Sequence, residues 1–201
     1  MIIAVEGIDG AGKNTLVNAI KGELGAETVA FPRYADSIYA QLSREALHGR
    51  MGDLVDSAHG MATLFALDRA GAKPLLDTFA TAPDKIIILD RYVASNAAYT
   101  AARTGDDAAA RWVFELEFVR LGLPRPDLQV LVDTDPAEAG QRARRREESD
   151  AERVRDRYES DASLQQDTFA AYVRLAETGW AGRWVVTSDA ATIMQAVEDL
   201  R

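Results

Sequence analysis

Gly7-Ile8-Asp9-Gly10-Ala11-Gly12-Lys13-Asn14-Thr15 lies between the apolar run Ile2-Ile3-Ala4-Val5, closed by Glu6, and a helix-like pattern running from Lys13 to Leu24. The spacing is G-x-x-x-x-G-K, and strand, loop and helix come in the order that a phosphate-binding loop requires. Glycines let backbone N–H groups converge on phosphate oxygens, and the following helix adds its positive N-terminal end. Lys13 then reaches the outer phosphates of a nucleotide. Gly7, Gly10, Ala11, Gly12, Lys13, Asn14 and Thr15 are therefore the candidate nucleotide-phosphate residues.

One position departs from the usual pattern. The residue after the lysine is normally Ser or Thr, whose hydroxyl binds Mg²⁺, and here it is Asn14 with Thr15 one place later. Either the amide oxygen substitutes, or carboxylates and the nucleotide's own phosphates hold the metal. Asp9 is a candidate, because a carboxylate inside an anion-binding loop repels phosphate unless it holds a metal or a sugar hydroxyl. The bland reading is that Asp9 accepts N–H bonds of its own loop.

Outward from the loop, β-branched runs alternate with helix-length amphipathic segments, which predicts an α/β fold with a parallel sheet. Strands are expected over Ile2–Glu6, Thr28–Phe31, Lys85–Asp90, Leu128–Asp133 and Arg183–Thr187. Helices are expected over Lys13–Leu24, Ser37–Leu47, Asp53–Ala80, Ala94–Arg103, Ala108–Leu121, Pro136–Arg145, Arg157–Thr178 and Ala191–Leu200. At 201 residues, 47% hydrophobic and 27% charged, the composition fits one globular domain with a real core.

Strand ends carry the next candidates. The run Ile86-Ile87-Ile88-Leu89 ends in Asp90-Arg91-Tyr92, and the C-terminal ends of strands in such a sheet face the ligand crevice. Asp90 and Arg91 are thus expected beside the phosphate loop. Phe31-Pro32-Arg33-Tyr34 follows the second strand, where proline stops the ladder and leaves an aromatic and a cation at its end. Phe65, Asp68 and Arg69 share a helical face, with Met61, Leu64 and Leu67 assigned to another; Ser95, Asn96, Tyr99 and Arg103 share a face of the next helix. An aromatic and an arginine on one face can stack on a base and donate to its edge, and asparagine offers both a donor and an acceptor. Taken alone, the first face reads better as a Phe at a core margin with an exposed Asp-Arg pair, and the second competes with a solvated polar face.

Residues 142–157 hold seven arginines and five acids, and Val154 is the single large apolar residue. Composition alone makes this a solvated, ion-paired helix-loop-helix. The formal charge of −9 argues against broad nucleic-acid binding. Of the 23 basic residues, 19 are arginine, a skew that suits bidentate phosphate recognition. The absence of cysteine excludes disulfides and thiolate chemistry, and His48 and His59 are too few for an imidazole metal cluster. With no long apolar run and no basic leader, a cytoplasmic protein is expected.

Together, Glu6 to Lys13, Phe31 to Tyr34, Met61 to Arg69, Asp90 to Tyr99 and Asp156-Arg157-Tyr158-Glu159 resemble, in that order, the bacterial thymidylate kinase family. The resemblance covers nearly the whole chain. It implies a P-loop kinase fold with a five-stranded parallel sheet, a homodimer, and transfer of the ATP γ-phosphate to dTMP with Mg²⁺. It further implies that Asp9 lies near the sugar 3′-hydroxyl and the metal, that Phe65 stacks on thymine, and that Arg69 and Asn96 address the base edge. Arg33 and Arg91 would meet the acceptor phosphate, and Tyr99 would guard the deoxy position. Phe31, Tyr34, Ser95, Asp156 and Tyr158 would complete the acceptor site, with Asp156 and Glu159 on the metal side. The Arg-rich segment becomes a lid, in which Arg144 and Arg145 are assigned to ATP.

Two rival readings stand beside this one. A deoxynucleoside kinase has a hydroxyl acceptor that needs a carboxylate base, for which Glu6 is placed. A nucleotide switch module is disfavoured, because the sequence holds no Asn-Lys-x-Asp motif. The long apolar faces of Asp53–Ala80 and Ala108–Leu121 suit a dimer interface or the cover of the sheet.

Overall fold

The computed structural model describes residues 1–82, 84–149 and 156–201, the side chains of Arg146, Glu148 and Ser149 excepted. Five strands, β1 (Ile2–Glu6), β2 (Glu27–Ala30), β3 (Ile87–Asp90), β4 (Leu128–Leu131) and β5 (Trp184–Val186), form one parallel sheet in the order β2-β3-β1-β4-β5. β1, β3 and β4 consist mostly of Ile, Leu and Val because helices cover both faces of such a sheet, leaving no solvated side on which to alternate polar residues. Ile2, Ile3, Ile87, Ile88 and Leu128 are fully buried.

The connection after β1, through α1 (Lys13–Leu24), leaves toward β2, whereas the connection after β3 crosses back over β1 to β4. Two adjacent strands whose chains depart in opposite directions open a crevice at their C-terminal ends. The loop after Glu6 and the residues after Asp90 line it from either side.

Between β2 and β3 lie α2 (Ile38–Leu47), α3 (Ala58–Gly71) and α4 (Lys73–Ala80). The expected continuous helix over Asp53–Ala80 is broken twice. A 3₁₀ turn, Leu54–Asp56, ends at Ser57, whose Oγ accepts from the Gly60 N–H and starts α3 afresh. Pro74, in the first turn of α4, has no N–H to give and its ring conflicts with the carbonyl four residues earlier, so the chain turns at Ala72.

α5 (Val93–Thr104) and α6 (Ala108–Phe114) follow β3, and α6 runs on as a π-helical turn over Glu115–Arg120 instead of the α-helix expected to Leu121. α7 (Pro136–Ser149) outlasts its expected end at Arg145. The helix expected over Arg157–Thr178 is two, α8 (Arg157–Ser160) and α9 (Ala162–Glu177), because extended Asp161 caps Leu164 with its side chain. α10 (Ala190–Glu198) packs beside α1. Apart from the main core, a smaller cluster of Leu47, Val55, Met61 and Tyr158 joins α2, α3 and α8. Among the described residues no helix is long and apolar enough to cross a membrane.

Candidate active site

The loop after β1 is shaped by two glycines. Gly12 caps α1 in a left-handed conformation, φ 100°. Gly10, at φ 84°, lies so close to α7 that a Cβ would stand 2.0 Å from the Ala139 carbonyl oxygen. Thr134, just beyond β4, donates to the Ala11 carbonyl at 2.9 Å and ties the loop to the sheet. Lys13 Nζ donates to the Gly7 and Ile8 carbonyls at 3.1 and 2.9 Å. Burial and the nearby Arg91 charge lower its pKa to about 8, against the pull of Asp9, Asp90 and Glu6.

Arg91 follows β3 with φ 69°, a left-handed backbone that turns its side chain back over β1. Its Nη2 donates to Asp9 Oδ1 at 2.6 Å and its Nη1 to the Gly7 carbonyl at 2.9 Å. Tyr99 donates to Asp9 Oδ2 at 2.9 Å. Burial opposes the Asp9 charge, but Arg91, Lys13 and the Tyr99 hydroxyl outweigh it and hold the carboxyl at about 2. Burial and Asp9 push the Tyr99 hydroxyl up, which keeps it a donor.

Two cavities meet here. The larger, about 760 Å³, runs along the phosphate loop past Lys13, Asn14, Thr15 and Asp90 to Arg142 on α7. The smaller, about 230 Å³, is walled by Tyr34, Phe65, Arg69, Asn96, Tyr99 and Tyr158. Asp9, Phe31, Arg91 and Glu159 line both, so one partition of two carboxylates, an arginine and an aromatic ring separates them.

The face Ser95, Asn96, Tyr99 and Arg103 of α5 is directed as a whole into the smaller cavity. Phe65 and Arg69 of α3 face it too, joined by Met61, which the sequence reading set on another face although it is four residues before Phe65. Tyr99 and Tyr158 stack with ring centroids 6.0 Å apart. The Tyr158 hydroxyl is buried, and the Arg103 guanidinium lies over its ring, 4.8 Å from the centroid. Asp156 caps α8 by accepting from the N–H groups of Tyr158 and Glu159, and also lines the smaller cavity.

Some expected site residues are placed elsewhere. Arg33 lines neither cavity; its Nε donates to Asp68 Oδ1 at 3.0 Å and its backbone N–H to Oδ2 at 2.9 Å, which clips the end of β2 to α3. Arg144 and Arg145 are exposed on α7 and line neither cavity, whereas Arg142, also exposed, lines the cavity along the phosphate loop. Arg153 and Arg155 lie outside the described residues. Glu6, the base that the rival reading needs, is fully buried and lines neither cavity. It accepts from Tyr92 N–H at 2.9 Å and from Ser95 Oγ at 2.5 Å, and burial, partly offset by Ser95 and Arg91, raises its pKa.

Three supporting residues escaped the sequence reading. Gln165 of α9 accepts from the Asp9 N–H at 3.2 Å and donates to the Tyr158 carbonyl at 2.9 Å. Tyr172, fully buried, shares a 2.7 Å hydrogen bond with Ser95. Glu117, in the π-helical turn, accepts from Arg69 Nε and Nη2 at 2.5 and 2.7 Å and from Asn96 Nδ2 at 2.7 Å. The available signal was a single acid between Leu116 and Phe118 on an otherwise apolar face, which helical periodicity does not distinguish from a surface residue.

For a divalent cation, the donor set beside the phosphate loop is sparse: Asp9, Asp90 and Glu159 line the larger cavity, and among the described residues no group of three His, Asp or Glu is placed to hold a metal alone. That fits Mg²⁺, which keeps waters and is bound by one or two carboxylates together with substrate phosphates.

A phosphate loop at the switch point of a parallel sheet, with a charged partition carrying Arg91 to a second, aromatic cavity, defines a P-loop phosphotransferase. The chain's residues 5–199 match the sequence profile described as thymidylate kinase. It is 54% identical over 194 residues to a thymidylate kinase of Mycobacterium tuberculosis, covering 92% of this chain and 90% of that protein. A probable thymidylate kinase of Pyrobaculum calidifontis is 34% identical over 147 residues, 73% of this chain and 71% of that one. A solved thymidylate kinase structure from Candida albicans shares the fold, with a TM-score of 0.73 at 21% identity over 98% of this chain and 91% of the other. The chain belongs to the thymidylate kinase family.

Proposed function

We propose that this enzyme transfers the γ-phosphate of ATP to dTMP, giving dTDP for dTTP synthesis. The observation that carries the reading is the pair of cavities divided by Asp9, Phe31, Arg91 and Glu159. ATP occupies the larger one, its phosphates on the loop N–H groups and Lys13; dTMP occupies the smaller, with Phe65 against the base and Arg69 and Asn96 at its edge. The acceptor phosphate then meets the donor's γ-phosphate at Arg91.

A monophosphate with a second pKa near 6 is already largely dianionic at neutral pH, so its oxygen attacks without a general base. The protein's work is to align the two nucleotides, exclude water and neutralise charge. Lys13, Arg91 and Arg142 carry the positive charge, and Asp9 keeps Arg91 and Tyr99 in place while meeting the sugar hydroxyl. Asp9 and Glu159, with Asp156 nearby, would hold Mg²⁺, which when bound would supply charge neutralisation to the phosphates. Residues 142–157 act as a lid within a single domain, 1–201. We further propose a cytoplasmic homodimer.

A coupled assay of ADP release with dTMP, dUMP, dCMP, dAMP and thymidine as acceptors tests the reading. The expected order of kcat/KM is dTMP, dUMP, dCMP, then the purine. Equal or better use of dCMP or dAMP overturns thymidylate specificity, and preference for thymidine revives the deoxynucleoside kinase.

A further inference from the structure

Glu117 is buried 21 residues beyond Asn96 and 48 beyond Arg69, in the one turn of its helix that winds with π geometry. The turn closes through a bond from the Leu121 N–H to the Leu116 carbonyl, five residues back. Such turns take up an extra residue and are frequent at functional sites. Here the outcome is a carboxylate behind two of the residues that line the smaller cavity.

The hydrogen-bond inventory then restricts what those residues can offer a ligand. Asn96 Nδ2 has two hydrogens; one goes to the Ala62 carbonyl at 3.0 Å and the other to Glu117 Oε1 at 2.7 Å. The reversed amide would set its oxygen against a carbonyl and a carboxylate, so the orientation follows from the chemistry of the neighbours. What Asn96 has left is Oδ1, an acceptor. Arg69 has five donors and no acceptor, and Glu117 takes Nε and one hydrogen of Nη2 side-on, which leaves the Nη1 edge as donors for the cavity.

We infer that Glu117 is a positioning residue for base selection: it holds Asn96 with its acceptor free and orients the donors of Arg69, a pair complementary to adjacent C=O and N–H groups on a pyrimidine. Thymine and uracil present N3–H beside O4 and match it. Cytosine presents an acceptor at N3 beside a donor amine, so both contacts are reversed. The inference rests on the proposed binding of dTMP in this cavity and adds the source of its selectivity. A neutral amide at position 117 can face Asn96 with its nitrogen, which leaves the Ala62 carbonyl as the one acceptor holding the Asn96 amide in this orientation, so the distinction weakens.

The test is Glu117→Gln, with Glu117→Asp as a variant that retains the charge. Calorimetric binding of dTMP and dCMP without ATP is compared with steady-state kinetics. For Glu117→Gln the dTMP-to-dCMP affinity ratio is expected to fall at least about 10-fold, from a rise in the dTMP KM with kcat changed less than about 3-fold. Glu117→Asp is expected to retain more of the ratio. A purely structural role would lower the melting temperature and weaken both nucleotides alike; an unchanged ratio, or equal weakening, overturns the inference. Wild-type protein that binds the two nucleotides equally overturns it too. Wild-type protein that selects dTMP but transfers no phosphate sinks the kinase reading alone, and the affinity ratio still decides the role of Glu117.

Discussion

Arg91 Nη2 stands 2.6 Å from Asp9 Oδ1, an ion pair that joins the end of β3 to the phosphate loop across the crevice between β1 and β3. Its folded-state pKa of about 2 lies below the ordinary 3.8 for Asp9. The stabilisation from this pair is therefore complete above about pH 4 and is lost as pH falls toward 2. Asp9→Asn is expected to cost on the order of 2 kcal/mol at neutral pH. Urea titrations are expected to show the gap to wild type closing between pH 4 and 2; a gap independent of pH would refute the pairing.

Lys13 titrates near 8 with the site empty, and a bound polyphosphate raises that value. Below about pH 7 the ammonium is already formed and ATP binds without taking up a proton at this residue. Above pH 8 binding takes up part of a proton, so affinity falls as pH rises. Calorimetry at pH 8.5 in two buffers of different ionisation enthalpy measures the uptake, and Lys13→Ala is expected to abolish it.

The same substitution is expected to reduce turnover by at least about 100-fold while the fold persists, because the lysine's work is on the transferring phosphates. Near-normal kcat in a verified Lys13→Ala protein would contradict the phosphate-loop assignment.

Asn14 accepts from Asn18 Nδ2 at 2.8 Å along the surface of α1. If carboxylates and substrate phosphates hold the metal, Asn14→Ala is expected to change the Mg²⁺ dependence of turnover by less than about 3-fold, and Asp9→Ala by far more. The reverse ranking in a Mg²⁺ titration identifies the amide as a direct ligand.

On α7, Arg142 faces the phosphate loop and Arg144 and Arg145 do not line the cavity. Arg142→Ala is expected to lower kcat about 10-fold or more with little change in the KM for dTMP, as befits a contact strongest in the transition state. Single replacement of Arg144 or Arg145 is expected to have a smaller effect. An unchanged kcat at all three positions would return the helix to the role of a solvated, ion-paired surface.

The sequence alone determined whatever depends on neighbours in the chain. The β-branched runs around Ile3 and Ile88 predict buried parallel strands, the G-x-x-x-x-G-K spacing predicts the loop geometry, and residues such as Ser95, Asn96 and Tyr99 reach one cavity because helical periodicity places them on one face. Helix ends were less legible. Ser57, Pro74 and Asp161 interrupt segments whose apolar periodicity runs on, and the cap or ring decides where the chain turns.

Only the tertiary structure decided which charges meet. Arg33 and Arg91 both follow strand ends and look equivalent in sequence, yet Asp68 binds the first and the crevice receives the second. Glu6 looked like an available base, and its burial beneath Tyr92 and Ser95 removes it from both cavities. Glu117 and Gln165 act on residues as distant as 48 and 156 positions along the chain. A buried polar side chain is tolerated only where partners satisfy it, and those partners come from whichever elements the packed sheet brings alongside, which local periodicity does not encode.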